Sequence, residues 1–313
     1  MIRILQLSSN SSGGTRKHVH SLIKNMDSVD FELHYGFPIM GGDSQFLTDT
    51  VDFAANGVLL MPMRIHKAPH VTDISNIYFL FNYVKRHKIE IIHSHGSKAG
   101  VYGRVVSKLN GVKSIYTPHG GVLHDQFGFL ASKVYLFFEK LLLPYTSRVV
   151  AESQYTKNAY LQKVGCPNVP IIVNYNGVSK TDFRLSTLIS KFAYKGKHFG
   201  IFARLTELKG QRVAIKAFAS LPNDHYLHLF GDGDDRLYLL DLIGSLKLES
   251  RVFIHGDVGC PEVYMKELYC VLIPSYFESF SYVAIEAMML KVPVLAFSVG
   301  GLIEVVSEKF KKA

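Results

Sequence analysis

Cysteine is scarce: the 313 residues hold three, Cys166, Cys260 and Cys270, an odd number without the paired spacing of a metal site. A disulfide framework is not expected, and the expected setting is a reducing cytoplasm. Long apolar runs are missing too. The stretch 134–145 comes closest to the roughly 18 residues that span a bilayer, and Glu139 and Lys140 interrupt it. Residues 2–7 already read as a strand with no charged leader or cleavage site, so no signal peptide is expected. No zinc motif, helix-turn-helix signal or basic–aromatic repeat accompanies the net charge of +9, which argues against a nucleic-acid partner. Nor does a complete Gly-x-Gly-x-x-Gly follow the first strand, which counts against a nicotinamide site.

What is present suffices for a large core. Apolar residues make up 48% of the chain, which excludes disorder as the main state, and the length allows one large domain or two medium ones. The most informative stretch is 270–289. Residues 270–273 form an apolar run that reads as a buried parallel strand, and helical spacing follows, so Ser275 to Ser279 is a strand-to-helix junction. Such a junction turns free N–H groups and a positive helix end outward, where phosphate binds. Glu278 sits at the junction and Glu286 eight residues later. On a helix that separation is roughly 12 Å and about 80° of rotation, so each carboxylate can meet one end of an extended ligand. Two glutamates so spaced are also commonly just solvated.

The surrounding letters decide between these readings. Glu-x7-Glu is preceded by Pro274-Ser275 and followed by Ala287-Met288, Val292-Pro293-Val294 and Gly300-Gly301-Leu302-Ile303-Glu304-Val305-Val306. Over 271–306 this resembles the retaining glycosyltransferases of family 4. The resemblance implies an α/β chain of GT-B fold, two Rossmann-like domains facing across a cleft. It implies that Glu278 contacts a donor sugar, that the amides of Phe280, Ser281, Tyr282 and Val283 grip the distal phosphate, and that Glu286 holds the ribose.

The rest of the chain fits strand–helix alternation. Strand 2–7 runs into Gly13-Gly14, where missing side chains let backbone approach a ligand, and Thr15 is expected to cap the next helix. The resemblance places Gly13 and Gly14 near donor phosphate and acceptor, with Lys17 and His18 beside them. Residues 36–57 look irregular. In the helix 97–109, Lys98, Arg104 and Lys108 read as a solvated face or one turned to a membrane or acceptor. Strand 114–117 ends at Pro118-His119-Gly120, and such strand ends point into the ligand crevice of open sheets. By resemblance His119 hydrogen-bonds a sugar hydroxyl. The aromatic-rich helix 131–143 reads as core, or as a lipid-docking face.

The turn cluster 165–170 marks the expected boundary, giving an acceptor-side domain 1–168 and a nucleotide-sugar domain 169–313; 179–197 reads as a polar loop. In the second half, Arg204 and Lys209 flank a strand-to-helix turn, and the resemblance assigns them the donor diphosphate. Two fixed cations there stabilise the charge of a departing nucleoside diphosphate without a metal. Asp232-x-Asp234 can be read as a metal motif, but its Gly-x-Gly setting favours a turn near the nucleotide. By resemblance, main chain around Val258 recognises the base.

The pattern is broken at Ala203, Ser279, Ser281 and Lys291, where the family commonly has Gly. The C-terminal domain also looks truncated, because family members continue well past the Gly-Gly segment; either reduced stability or activity, or completion by a partner, is expected. The function expected is retaining hexosyl transfer from a nucleotide-diphosphate sugar to a glycan or lipid-linked acceptor, in polysaccharide or lipopolysaccharide synthesis. No cofactor or metal is expected, and the basic charge suits the anionic inner face of the cytoplasmic membrane. The competing expectations are a nucleotide-sugar 2-epimerase of the same fold and a non-catalytic scaffold.

Overall fold

Strand β1 (Ile2–Ser8) is buried along most of its length on both faces, as a central parallel strand must be. Its side chains alternate between two layers. Leu5 and Leu7 pack with Met61, Leu80, Val84 and Ile92, whereas Ile4 packs with Val19, Ile23, Leu33, Phe46 and Phe53. The computed structural model describes residues 1–66, 68–123, 129–165, 168–178, 192 and 194–306. It divides into two compact units, Met1–Gly177 and Val178–Ala313.

In the first unit β1 lies between β2 (Phe31–Pro38) and β4 (Ile91–His95), Ile4 pairing with Leu33 on one side and Ile91 on the other. With β3 (Leu59–Met63), β5 (Lys113–Thr117), β6 (Arg148–Ala151) and β7 (Ile171–Val173) the sheet order is β3-β2-β1-β4-β5-β6-β7, parallel throughout. Its helices are α1 (Gly13–Asn25), α2 (Ser44–Ala55), α3 (Thr72–Arg86), α4 (Ser97–Asn110), α5 (Phe129–Leu142) and α6 (Gln154–Lys163).

Four expectations are corrected here. The boundary falls after Gly177, not at 168, because β7 pairs with β6 (Val149 with Ile171) and so completes the first sheet. Residues 36–57 are not irregular. They contain α2, capped by the Asp43 carboxylate accepting from the Phe46 amide; its inward face is half polar, Phe46 and Phe53 alternating with Asp49 and Thr50, which hid the helical period. Asp49 is held there by Arg16, His20 and Lys24. Thr15 is no cap, since α1 starts at Gly13 with Ser12 before it. Arg104 is not on a solvated face: it is fully buried, 2.7 Å from the Glu139 carboxylate, which also accepts from Tyr116. The same glutamate that interrupts the apolar run 134–145 therefore neutralises a buried cation.

The second unit restarts the alternation with β8 (Lys197–Phe202), α7 (Gln211–Phe218), β9 (His225–Phe230), α8 (Arg236–Ser245) and β10 (Val252–Gly256). It continues through α9 (Pro261–Met265), β11 (Cys270–Ile273), α10 (Tyr282–Met289), β12 (Val294–Ala296) and α11 (Leu302–Val305). The parallel sheet has the order β10-β9-β8-β11-β12. Ile201, Leu227 and Leu229 pack under α7 and α8, while Val271 and Ile273 pack under α10. The expected loop over 179–197 and the expected early stop fall largely or wholly on 179–191, 193 and 307–313, outside the described residues.

Candidate active site

In each sheet the first strand has its successor on one side and a later strand on the other, so the order reverses beside it. Loops leaving the carboxyl ends of such neighbouring strands part and open a crevice. In the second unit those strands are β8 and β11, and the predicted donor residues leave them: Arg204 and Lys209 after β8, and Glu278 and Phe280 to Val283 after β11.

The two loops are tied together through main chain. The Tyr276 amide donates to the Leu208 carbonyl at 2.9 Å. Gly210 has φ +69°, and a Cβ there would lie 1.9 Å from the Pro274 carbonyl oxygen. Gly300 likewise has φ +52° with no room for a Cβ beside the Glu278 carbonyl, and the Gly301 amide donates to that carbonyl at 2.9 Å. The glycine pair at 300–301 thus fixes the backbone of Glu278. On this frame the Lys209 Nζ reaches the Glu278 Oε1 at 2.7 Å, and the Ser275 hydroxyl donates to the same oxygen at 2.8 Å.

Glu278 lies in the loop, not on the helix, so the expected eight-residue helical separation from Glu286 does not hold. Glu286 alone is on α10, where it is buried. Ser281 is the N-cap, its hydroxyl accepting from the Ala284 amide at 3.4 Å, and α10 has no acidic residue in its first turn. Serine in place of the family's glycine therefore anchors the helix end that presents the amides of Tyr282 and Val283. Arg204 is exposed, and among the described residues its guanidinium carries no ion pair; its carbonyl is held by the buried Gln211. Val258 is half-buried in the loop after β10, separated from the Lys209–Glu278 pair by β9 in the sheet order. Lys291, after α10, has φ +61°, the left-handed conformation expected of that position.

The first unit's crevice is of another kind. His119 follows β5 with φ +48°, unusual for a residue with a side chain. Its Nδ1 is 3.0 Å from the Glu152 Oε2, and its Nε2 is 3.1 Å from the His95 Nδ1. His95 in turn lies 2.9 Å from the Gln6 Oε1, and Asn176 donates to the Glu152 Oε2 at 3.0 Å. His18, one helical turn into α1, packs edge-on against His119 at 4.9 Å. Burial pushes the His18 and His93 imidazoles down to about 3, with the positive form of His119 opposing their protonation further, and it pushes His95 well below the usual range. The three are neutral at neutral pH.

Gly13 and Gly14 open α1 as anticipated by the strand–glycine–helix order, and space beside Gly13 is open. Sequence reasoning found His119 and, as a neighbour, His18. It missed His95, Glu152 and Asn176, although His95 and Glu152 sit at the ends of β4 and β6, the same signal that pointed to His119.

Comparison with known proteins agrees with this architecture. Glycosyltransferase Family 4 matches residues 12–181, and Glycosyl transferases group 1 matches residues 189–313. The chain belongs to glycosyltransferase family 4. As a member it is a glycosyltransferase of GT-B fold, with two parallel-sheet, Rossmann-like domains. An uncharacterized glycosyltransferase of Methanocaldococcus jannaschii is 26% identical over 309 residues, 95% of this chain and 79% of the relative. The O-antigen biosynthesis glycosyltransferase WclY of Escherichia coli is 27% identical over 251 residues, 73% of this chain and 66% of WclY. The crystal structure of Anabaena HepE with UDP-glucose superposes with a TM-score of 0.76 at 23% identity, covering 98% of this chain and 84% of HepE.

Proposed function

We propose that this glycosyltransferase moves a hexosyl group from a nucleoside-diphosphate sugar to a glycan or lipid-linked acceptor, with retention at the anomeric carbon. The observation that carries the proposal is the Lys209–Glu278 pair, fixed by interlocked glycine turns at the crevice between β8 and β11, with the exposed Arg204 on the same loop as Lys209. A nucleoside diphosphate leaves with growing negative charge, and fixed cations at a helix end stabilise it where it develops. Lys209, Arg204 and the amides of Phe280 to Val283 are assigned the diphosphate, Glu286 the ribose and main chain near Val258 the base. Glu278 and His119 orient the sugar, and Gly13 and Gly14 line the approach to donor and acceptor. No metal is needed for this division of labour.

The names of related proteins support the donor and acceptor classes. HepE was crystallised with UDP and with UDP-glucose. An Escherichia coli relative, 22% identical over 302 residues, is a galactosyltransferase taking UDP-Gal to a GlcNAc-diphosphoundecaprenol. Among the described residues no helix is long and apolar enough to cross a membrane, but Val134, Phe137, Phe138 and Leu141 of α5 are exposed. We assign that face to an anionic lipid surface carrying the acceptor, at the inner side of the cytoplasmic membrane. In the front-face substitution proposed here the glycosidic C–O bond breaks toward the diphosphate, the acceptor oxygen enters from the same side, and a diphosphate oxygen takes its proton.

Calorimetry with uridine, guanosine and adenosine diphosphates and their sugars tests the donor. Transfer to an undecaprenyl-diphosphate-linked sugar, with the product's anomeric proton followed by NMR, tests the rest. Binding of one nucleotide class and an unchanged anomeric configuration are expected. No binding, or conversion of the donor without acceptor, overturns the proposal.

A further inference from the structure

The histidine-lined end of the first sheet contains an arrangement that sugar binding does not account for. We propose that His18, His119 and Glu152 form a binding site for a divalent transition-metal ion, with zinc the ion that best fits two imidazole nitrogens and a carboxylate. One ligand atom from each of the three lies within 4.8 Å of the others, and all belong to the first unit.

The convergence of these three groups on a buried, unpartnered His18 nitrogen points to a cation, and the hydrogen bonds around them agree. Gln6 turns its amide nitrogen to the Met26 sulfur at 3.7 Å and its carbonyl oxygen to the His95 Nε2 at 2.9 Å. With the Gln6 amide turned this way, His95 donates from Nε2, and a neutral imidazole then has only an acceptor at Nδ1. In that arrangement His119 donates to that atom from its own Nε2, 3.1 Å away. The Nδ1 of a neutral His119 is consequently a lone pair, and it faces the Glu152 Oε2 at 3.0 Å. Two acceptors at that distance repel unless a cation joins them.

A proton would join His119 to Glu152 but would do nothing for His18. Among the described residues the His18 Nδ1 is buried with no hydrogen-bond partner, in a residue only 4% exposed. An orphaned buried ring nitrogen of that kind costs desolvation energy and calls for a partner. One metal ion satisfies all three groups, with the imidazoles neutral and the carboxylate charged. The surroundings are those of a ligand set: His95 holds the far nitrogen of His119, and Asn176 holds the carboxylate at 3.0 Å. Three protein ligands leave a fourth position open. If the proposed function holds, on which this consequence rests, the ion withdraws His119 from the sugar and zinc is an inhibitor rather than a cofactor.

The test needs no activity. Tag-free protein is titrated with zinc against a chromophoric chelator, and one tight equivalent is expected. His18→Ala and Glu152→Gln should each weaken it by at least about tenfold, the smallest loss typical of disturbing a metal's surroundings. His255→Ala and His70→Ala, which touch the separate clusters around His228 and His66, should leave it unchanged. Cobalt added to the unaltered protein should give the visible absorption of a four-coordinate site, which decides the matter even if a variant fails to fold. Absence of both a saturable zinc equivalent and the cobalt band overturns the proposal, as does unchanged affinity in folded His18→Ala. A failed transfer assay with zinc bound as expected would instead count against the proposed function alone.

Discussion

The two units repeat one topology but differ in the chemistry at the carboxyl ends of their sheets. In the second unit the crevice is edged by charge in contact with solvent: Arg204 is exposed, and Lys209 and Glu278 form a part-buried pair. In the first it is edged by imidazoles, three of them neutral and two of those, His18 and His95, fully enclosed, with Glu152 a nearby carboxylate. A fold that places loops at a switch point sets where a ligand binds, whereas the side chains on those loops set what kind of group is received. Charged, hydrated edges suit a diphosphate; neutral donors and acceptors suit hydroxyls.

The sharpest way to break this contrast lies beneath the first crevice. Removing Glu139 strands the fully buried Arg104, and Glu139→Ala should destabilise the protein by about 3–5 kcal/mol, read from chemical denaturation. A loss below about 1 kcal/mol would mean that water reaches Arg104 and that the first unit is less dry than described. Next in size, Lys209→Ala should lower turnover by about 10²–10³-fold and weaken nucleoside-diphosphate binding, as loss of a fixed charge at a developing anion does. His119→Ala should lower turnover by about tenfold, one hydrogen bond's worth, while leaving affinity for the free nucleotide unchanged. If both variants lose nucleotide affinity equally, the division between the two crevices is wrong.

Acid should separate the units further. His18 and His93 titrate at about 3 when folded, against an ordinary 6.5, so the unfolded chain binds more protons between those values. Their contribution is complete above pH 6.5 and is lost as pH falls toward 3, at about 1.4 kcal/mol per pH unit for each group. His228 behaves alike in the second unit. Hydrogen exchange at pH 7 and pH 5 should therefore show protection falling more steeply in the first unit, and His93→Gln should flatten that fall. Smallest, Lys291→Gly should stabilise the second unit by about 1 kcal/mol by relieving a left-handed residue at φ +61°, seen as a slightly higher Tm.

Much of this was legible in the chain. Apolar runs bounded by turn letters located β1, β4, β5 and β11, because strands buried on both faces leave no alternation to misread. The letters around Glu278 were legible because close main-chain approach demands glycine at Gly300, a requirement written directly in sequence. What was illegible was long-range pairing of polar groups. Arg104 looks like any exposed helical arginine until Glu139, 35 positions later, is known to face it. Asp49 hid α2 for the same reason, its partners Arg16, His20 and Lys24 lying on α1. Glu152 and His95 carried the strand-end signal but gained meaning only once β4, β5 and β6 were seen side by side.

One consequence follows from the bare alpha carbons at Gly210 and Gly300, where a methyl group would strike a carbonyl oxygen of the neighbouring loop. The loops bearing Lys209 and Glu278 are therefore held at a fixed spacing, Gly210 lying against Pro274 and Gly300 against the main chain of Glu278. A mutational scan limited to residues with functional groups would overlook the two positions whose emptiness keeps the others in place.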